Sequence, residues 1–321
     1  MEFSIGETSN GSLVSGYVNG SKTSGSSSTY FTNVIKVDNN SYGSVARGSI
    51  TNQSFNGEIS AKRNSSYASG CINVSNVADN ANIHKAYISA SQWGSHAEGC
   101  IEGAGSFSST TNALSLSILA SGKGSHAEGY ININNIEDSA YGDIKILASG
   151  NGAHAEGCVE TSLAGCTGSF IIASGKGAHA EGYSKYDGTG TGILASGTGA
   201  HAEGYNTTAD GQGAHAEGYN TTANGDGAHA EGYNTTADGQ GAHAAGSNNS
   251  ASGTGSYVGG SGNKANSNNS TVFGYDNTIS SASAINNFIV GEHNNSIRVT
   301  LSVSGTNQAI NYDISNAFIC G

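Results

Sequence analysis

From Gly199 to Thr254 the chain spells nearly the same fourteen residues four times: GAHAEGYNTTADGQ, GAHAEGYNTTANGD, GAHAEGYNTTADGQ and GAHAAGSNNSASGT. A unit of this length is too short for two helices, and HAEGY and ILASG separated by Gly-x-Gly read as short strands joined by tight turns. The glycine that closes each unit serves as a marker. It recurs at Gly99, Gly129, Gly157, Gly182, Gly204, Gly218, Gly232, Gly246, Gly260, Gly274 and Gly291, with weaker copies at Gly16, Gly48 and Gly70. Intervals run from 22 to 32 residues up to Gly204, then five of 14, then one of 17.

Positions counted back from the marker hold constant while the intervals stretch, so the long units are the same coil carrying insertions. Nine before the marker stands an alanine column that runs from Ala61 through Ala90, Ala120 and Ala209 to Ala282. Two before it stands another, from Ala46 to Ala244, which changes to Val258, Val272 and Ile289. Five before it is glycine in eleven of the fourteen units, which reads as a turn. A coil of this perimeter encloses a flat space that alanine fills. The expected fold is all-β: a solenoid of about fourteen 14-residue coils, with inserted loops or hairpins in the N-terminal two-thirds.

Along the chain this gives irregular coils with insertions over 1–95, further coils with insertions over 96–204, regular coils over 205–291, and a C-terminal β cap or attachment segment over 292–321. Extra segments such as IEGAGSFSSTTNALSL and ININNIEDSAYGDI, the latter filling 131–144, read either as hairpins projecting from the stack or as a widening of it. The tail, IRVTLSVSG and NQAINYDISNAFICG, reads as two or three strands covering an open edge.

Composition narrows the function. Glycine is 49 of 321 residues, proline is absent and only 36% of the chain is apolar, which is not the makeup of an ordinary globular enzyme. An alanine interior buries little apolar area against a backbone entropy cost of roughly 1 to 2 kcal/mol per residue, so burial against other chains is expected. The net charge of -12 opposes nucleic acid and anionic membrane surfaces, and no apolar run approaches a membrane span.

The HAEG units add two polar columns. Three before the marker stand His96, His126, His154, His179, His201, His215, His229 and His243. One before it stand Glu98, Glu128, Glu156, Glu181, Glu203, Glu217 and Glu231. Two apart on a strand, each His and Glu share the face opposite the alanines. The columns turn apolar toward the ends, with Leu13 and Val45 early and Phe273, Phe288 and Val290 late, as suits a surface facing a partner chain. A zinc deaminase needs H-x-E followed by P-C-x-x-C, and H-E-x-x-H is absent. A dyad repeated seven times is a scaffold's product, so no catalytic residue, cofactor or metal is assigned. Rings of three histidines around an axis, one from each of three chains, would present three nitrogen ligands to a metal. Pairing of His with Glu across chains is the expected role, with imidazole pKa values raised and those of glutamate lowered.

Tyr130, Tyr183, Tyr205, Tyr219, Tyr233 and Tyr275 follow the marker, sharing their column with Cys71, Cys100 and Cys158. The five cysteines read as small buried residues, and neighbouring coils bring Cys71 toward Cys100 without establishing disulfide geometry. Asn-Thr-Thr at Asn206, Asn220 and Asn234 reads as turn chemistry, and its adjacent threonines point to opposite faces, against a flat ice-binding array.

SVARG ending at Gly48, AHAEG in the regular block and the spacing of AHAEGYNTTADGQ resemble the head repeats of YadA-type trimeric autotransporter adhesins, whose signature runs close to SVAIG-x-x-(S/T)-x-A-x-G. The HAEG variant also looks like repeats of bacteriophage tail appendage proteins. The resemblance covers about residues 11–291 and implies a left-handed parallel β-roll, associated as a homotrimer. It implies a trimeric receptor-binding fibre or spike on a virion tail or an extracellular surface, with a host cell-surface receptor or glycan and other tail or surface proteins as partners. The chain shows no Sec signal, heptad stalk or C-terminal anchor, so a phage tail fibre is expected ahead of a bacterial surface adhesin. An ice-binding solenoid and a polysaccharide-cleaving tailspike are more remote expectations.

Overall fold

The computed structural model describes residues 2–5, 10–20, 33–52, 56–75, 85–104, 114–134, 142–161, 168–186, 192–280, 286–293, 298–302, 309–313 and 318–320, the first and last three stretches by backbone alone. Every regular element among them is a strand, in two compact units, Met1–Ser196 and Gly197–Gly321. Through the repeat region of each unit the chain passes alternately between two sheets, so each strand there pairs in parallel with the strand one coil away. His126–Asn134 lies between His96–Ala104 and His154–Thr161, and like faces like: His126 opposite His154, Ala127 opposite Ala155, Glu128 opposite Glu156, Gly129 opposite Gly157. The chain is a parallel β-solenoid, with identical positions of successive coils stacked into columns.

Both alanine columns lie inside. Ala97, Ala127 and Ala155 on the second sheet and Ala90, Ala120 and Ala148 on the first have no exposed surface. In the C-terminal unit the first-sheet strands are two residues long, as at Thr222–Ala223, and the narrow interior holds alanine, giving way to Val258, Val272, Ile279 and Ile289 in the later coils, together with buried polar groups. Asn263 donates its amide to the carbonyls of Gly259 and Gly274 at 2.9 and 2.7 Å, and its own Oδ1 accepts from Asn277 N–H. At the equivalent places Thr207, Thr221 and Thr235 are fully buried and their hydroxyls have no hydrogen-bond partner among the described residues.

The N-terminal unit corrects the expectation of an alanine-only interior. Its strands reach seven to nine residues, as in Leu114–Ala120 and His126–Asn134. Beyond the alanines they bring Ile72, Ile101 and Ile131 of the second sheet and Ile88, Ile118 and Ile146 of the first into complete burial. Each such side chain contributes about 1.5 to 3 kcal/mol, several times an alanine methyl. Of the two readings of 131–144, widening of the interior holds at both ends of the segment. Ile131, Ile133 and Ile144 are fully buried on strands that continue from the coil. There the alternation of apolar and polar residues lengthens the strands. The middles of the insertions, 76–84, 105–113, 135–141, 162–167 and 187–191, lie outside the described residues.

Two register details also differ. Ile279, not Ala282, stands opposite Ala265, and Ala282 lies outside the described residues. The last interval is 17 residues rather than 14, so counting nine back from Gly291 stops three residues short of the strand position. At the other end Val37 stands opposite Ala61. After the repeat, Arg298–Ser302 pairs antiparallel with Ala309–Asp313, and Phe318–Cys320 adds in parallel beside Phe288–Glu292.

Glycine serves the coil in two distinct ways. At the turn five before the marker φ is +61° to +71° in every glycine unit, and the three units without glycine place Ser65, Asn269 and Asn286 there at +51° to +56°. A Cβ at Gly124 would meet nothing within 4 Å, so only the dihedral matters and Asn meets it. At the marker Gly129 a Cβ would stand 2.0 Å from the carbonyl oxygen of Gly157 on the next coil, with φ at +144°. No rotamer relieves that clash. We predict that Gly124→Asn changes stability by no more than about 1 kcal/mol, whereas Gly129→Ala costs more than about 4 kcal/mol or prevents folding. Chemical denaturation of both variants checks it, and equal losses would overturn the distinction.

Candidate functional site

The outward face of the second sheet gathers the polar and aromatic columns. In the N-terminal unit it pairs His96 Nε2 with Glu98 at 3.0 Å, His126 with Glu128 at 3.2 Å, His154 with Glu156 at 3.3 Å and His179 with Glu181 at 3.5 Å. In the C-terminal unit His201, His215 and His229 each stand 3.6 Å from Glu203, Glu217 and Glu231. His243 has Ala245 where its glutamate would be, and its Nε2, like those of His126, His154, His215 and His229, is buried without a hydrogen-bond partner among the described residues, whereas His96 and Glu98 are hydrogen-bonded. Each pair lies within one strand. Pairing across chains, expected above, is therefore not required to bring His and Glu together.

The imidazoles stack along the fold. Ring centroids of His126 and His154 are 4.8 Å apart with planes 6° from parallel, and those of His215 and His229 are 4.7 Å apart at 1°. The column runs into aromatic rings, Tyr67 packing edge-on against His96 at 4.5 Å and Tyr257 stacking on His243 at 4.4 Å.

This packing reverses the expected histidine shift. Burial holds the His126 imidazole below its ordinary 6.5, and the stacked His96 and His154 push the same way. His243 is lowered by burial first and by His229 second. Glu98 is lowered as expected, chiefly by its hydrogen bond from His96 and also by one from Ser69. An ionised carboxylate only accepts, so Nε2 of His96 carries the proton in that bond.

His154, Glu156 and His179 bring three metal-type donor atoms within 4.8 Å of one another. The His154 and His179 rings are 4° from parallel at 4.8 Å, and one ion cannot lie in both ring planes. Coordination at about 2.0 Å would require one ring to turn out of the stack. The second such cluster, Cys71, Cys100 and Glu102, offers no thiolate because both sulfurs are in a disulfide.

That disulfide joins neighbouring coils, its cysteines 29 positions apart in sequence and their Cα atoms 4.7 Å apart. Both cysteines are half-buried on the outward face, which corrects their reading as buried residues. The signal was available: both directly follow a marker, on consecutive units, and such positions are direct neighbours in a parallel stack. Cys158, in the same column, is free, and burial and then Glu160 raise its thiol. Cys166 lies outside the described residues, as does the side chain of Cys320. Two tyrosines reach back one coil to a carboxylate, Tyr130 donating to Glu102 at 2.7 Å and Tyr183 to Glu160 at 2.6 Å. The hydrogen bond to Glu102 pushes Tyr130 up to about 12.

The Asn-Thr-Thr segments form the turn after this strand. Asn206, Asn220 and Asn234 adopt φ of +52° to +54°, and their amides link in series to Asn248 at 2.7, 3.0 and 3.1 Å. The first threonine of each pair is buried and the second half-exposed.

Two outcomes follow. His126 and His243 titrate below 6.5 in the fold, so their contribution is present above about pH 6.5 and is lost as the pH falls through their folded values. Glu98 contributes above about 4.5, and this too is lost on acidification. The melting temperature is expected to fall steadily from pH 7.5 to pH 4, and a maximum near pH 5.5 would overturn the assignment. Reducing the Cys71–Cys100 bridge, or Cys71→Ser with Cys100→Ser, is expected to cost about 3 to 4 kcal/mol for a loop of 29 residues. Melts with and without reductant check this, and identical curves would contradict it.

Comparison with known proteins gave no matching family model and no matching curated protein.

Proposed function

We propose that the chain is one subunit of a homotrimeric left-handed β-roll fibre or spike that attaches a particle to its host cell, with a bacteriophage tail fibre as the first assignment. One observation carries it: among the described residues, eight of the ten exposed large apolar side chains stand on the outward columns of the second sheet. Leu13, Tyr17, Tyr219, Tyr233, Tyr257, Phe273, Tyr275 and Phe288 are each 37% to 60% exposed there. A flat aromatic sheet face of this kind is covered by other chains when it is functional. The narrow, alanine-rich interior of the C-terminal unit supports the same reading, since it stabilises a lone coil weakly. The repeat resemblance supplies the threefold arrangement. On this reading the His and Glu columns from His96 to His243 line the shared face as a structural network. The partners are a host receptor or glycan and neighbouring tail or surface proteins, and the chain performs no catalysis.

The Cys71–Cys100 bridge favours a second reading, a bacterial surface adhesin of the same architecture, because disulfides form and persist in oxidising compartments. Recovery of the protein from purified virions or from the cell envelope separates the two.

The trimer is the testable core of the proposal. Light scattering at micromolar concentration is expected to give three chain masses, and Phe273→Asp with Phe288→Asp is expected to break the assembly. A folded monomer of the unaltered chain would overturn it.

A further inference from the structure

Two exposed large apolar side chains do not belong to the sheet face. Tyr42, at 46% exposure, and Trp93, at 59%, each sit at a turn tip six residues before a marker glycine. The other tips of the N-terminal unit carry Asn or Lys.

These tips form a fixed row. Ser65 N–H donates to the Tyr42 carbonyl at 2.9 Å, Gly94 to Asn64 at 3.1 Å, Gly124 to Trp93, Gly152 to Lys123 and Gly177 to Asn151, each at 2.9 Å. Side-chain amides tighten it, Asn64 Oδ1 accepting from Tyr42 N–H at 3.0 Å and Asn151 Oδ1 from Lys123 N–H at 3.1 Å. Successive tips are thus one strand spacing apart, about 4.8 Å.

Along the row Tyr42 is followed by Arg63 beside the Asn64 tip, then Trp93, then Lys123, then Asn151, then Lys176. The two aromatic tips are thus two coils apart, about 9.6 Å, and so are the two lysine tips. That distance is close to the length of one disaccharide in an extended β-linked polysaccharide. Lys123 Nζ lies 5.6 Å from the Trp93 ring centroid, so stacking surface and charge adjoin. The charge is local: the chain carries -12 overall, yet turns 62–65, 91–94, 121–124, 149–152 and 174–177 contain no carboxylate, and Asp38, which opens the Tyr42 turn, lies 3.7 Å from Lys36. The same corner of the C-terminal unit carries Asp210, Asp226 and Asp238.

We propose that this ridge binds an extended acidic polysaccharide, with sugar rings stacked on Tyr42 and Trp93 and acidic groups paired with Arg63, Lys123 and Lys176. Aromatic rings beside cations also suit single-stranded nucleic acid. Charge density decides between them. A nucleic-acid strand presents a phosphate about every 3.4 Å, against one cation about every 9.6 Å on the ridge. A polysaccharide with one carboxylate per disaccharide matches the ridge, and its lower charge is less repelled by the rest of the chain. The proposal rests on the attachment reading in taking a surface glycan as the ligand.

Calorimetry of the intact protein at low salt tests it, with hyaluronan and unsulfated chondroitin oligosaccharides, which carry one uronic acid per disaccharide, against an N-acetylglucosamine hexamer and a single-stranded oligonucleotide. An acidic oligosaccharide is expected to bind most tightly. Trp93→Ala should weaken it at least about tenfold with melting unchanged, and Tyr42→Ala should act in the same direction. Lys123→Gln with Lys176→Gln should reduce both affinity and its dependence on salt. Gln240→Ala, at a tip of the other unit, should have no effect. Tighter binding of the oligonucleotide, no binding of either acidic probe, or binding indifferent to Trp93→Ala would each overturn the proposal. If the ridge fails while the purified protein still blocks adsorption to host cells, the attachment reading stands without it.

Discussion

The stack depends on a clearance between backbones. At each marker the Cα of one coil faces the carbonyl of the next so closely that a methyl group would lie about 2 Å from the oxygen, as Gly99 does against Gly129 and Gly218 against Gly232. Parallel pairing at the ordinary strand spacing is incompatible with any side chain there. Once the marker is glycine, the neighbouring positions follow: alternation along the strand sends the residue two before it inward and the residues one and three before it outward. The alanine column, the histidine column and the glutamate column follow from that one backbone approach.

The two units solve the burial problem differently within the same coil. Ile101, Ile118, Ile131 and Ile146 give the N-terminal unit a broad apolar interior. The C-terminal unit closes its coil in fourteen residues and relies on alanine packing, buried Asn263 and Asn277, and an amide series along its turns. An amide satisfied on several sides offsets the cost of its burial, and the repeat supplies the partner at each coil automatically. The outward face does the opposite at His126, where burial and the rings stacked on either side make a charge unfavourable.

Much of this was legible in the letters, because a solenoid repeats its chemistry at equal spacing. Coil length, inward alanines, turn glycines and the shared face of His96 and Glu98 follow from counting. Counting fails where an interval changes between strand and marker, which is why Ile279 rather than Ala282 completes the alanine column. It also misses length within a strand: Ile131 and Ile144 read as inserted residues because their alternation matches a hairpin as well as a longer strand. The histidine shift escaped for another reason. Spacing shows that a glutamate is near but not that the ring above and the ring below exclude water, and burial outweighs the carboxylate at His126. The contact between Cys71 and Cys100 needed only the column register.

The uniformity of the regular block has a consequence for its length. Between Gly204 and Gly246 nearly every column repeats its residue, so a slip of one whole unit restores almost every contact. Nothing local in that stretch distinguishes one coil from the next. Genetic gain or loss of a unit would pass through the packing almost unnoticed, adjusting reach in steps of about 4.8 Å. The unequal intervals before Gly204 have no such freedom, because each coil there has its own neighbour. The chain thus joins an N-terminal part of defined identity to a part whose length is free to evolve.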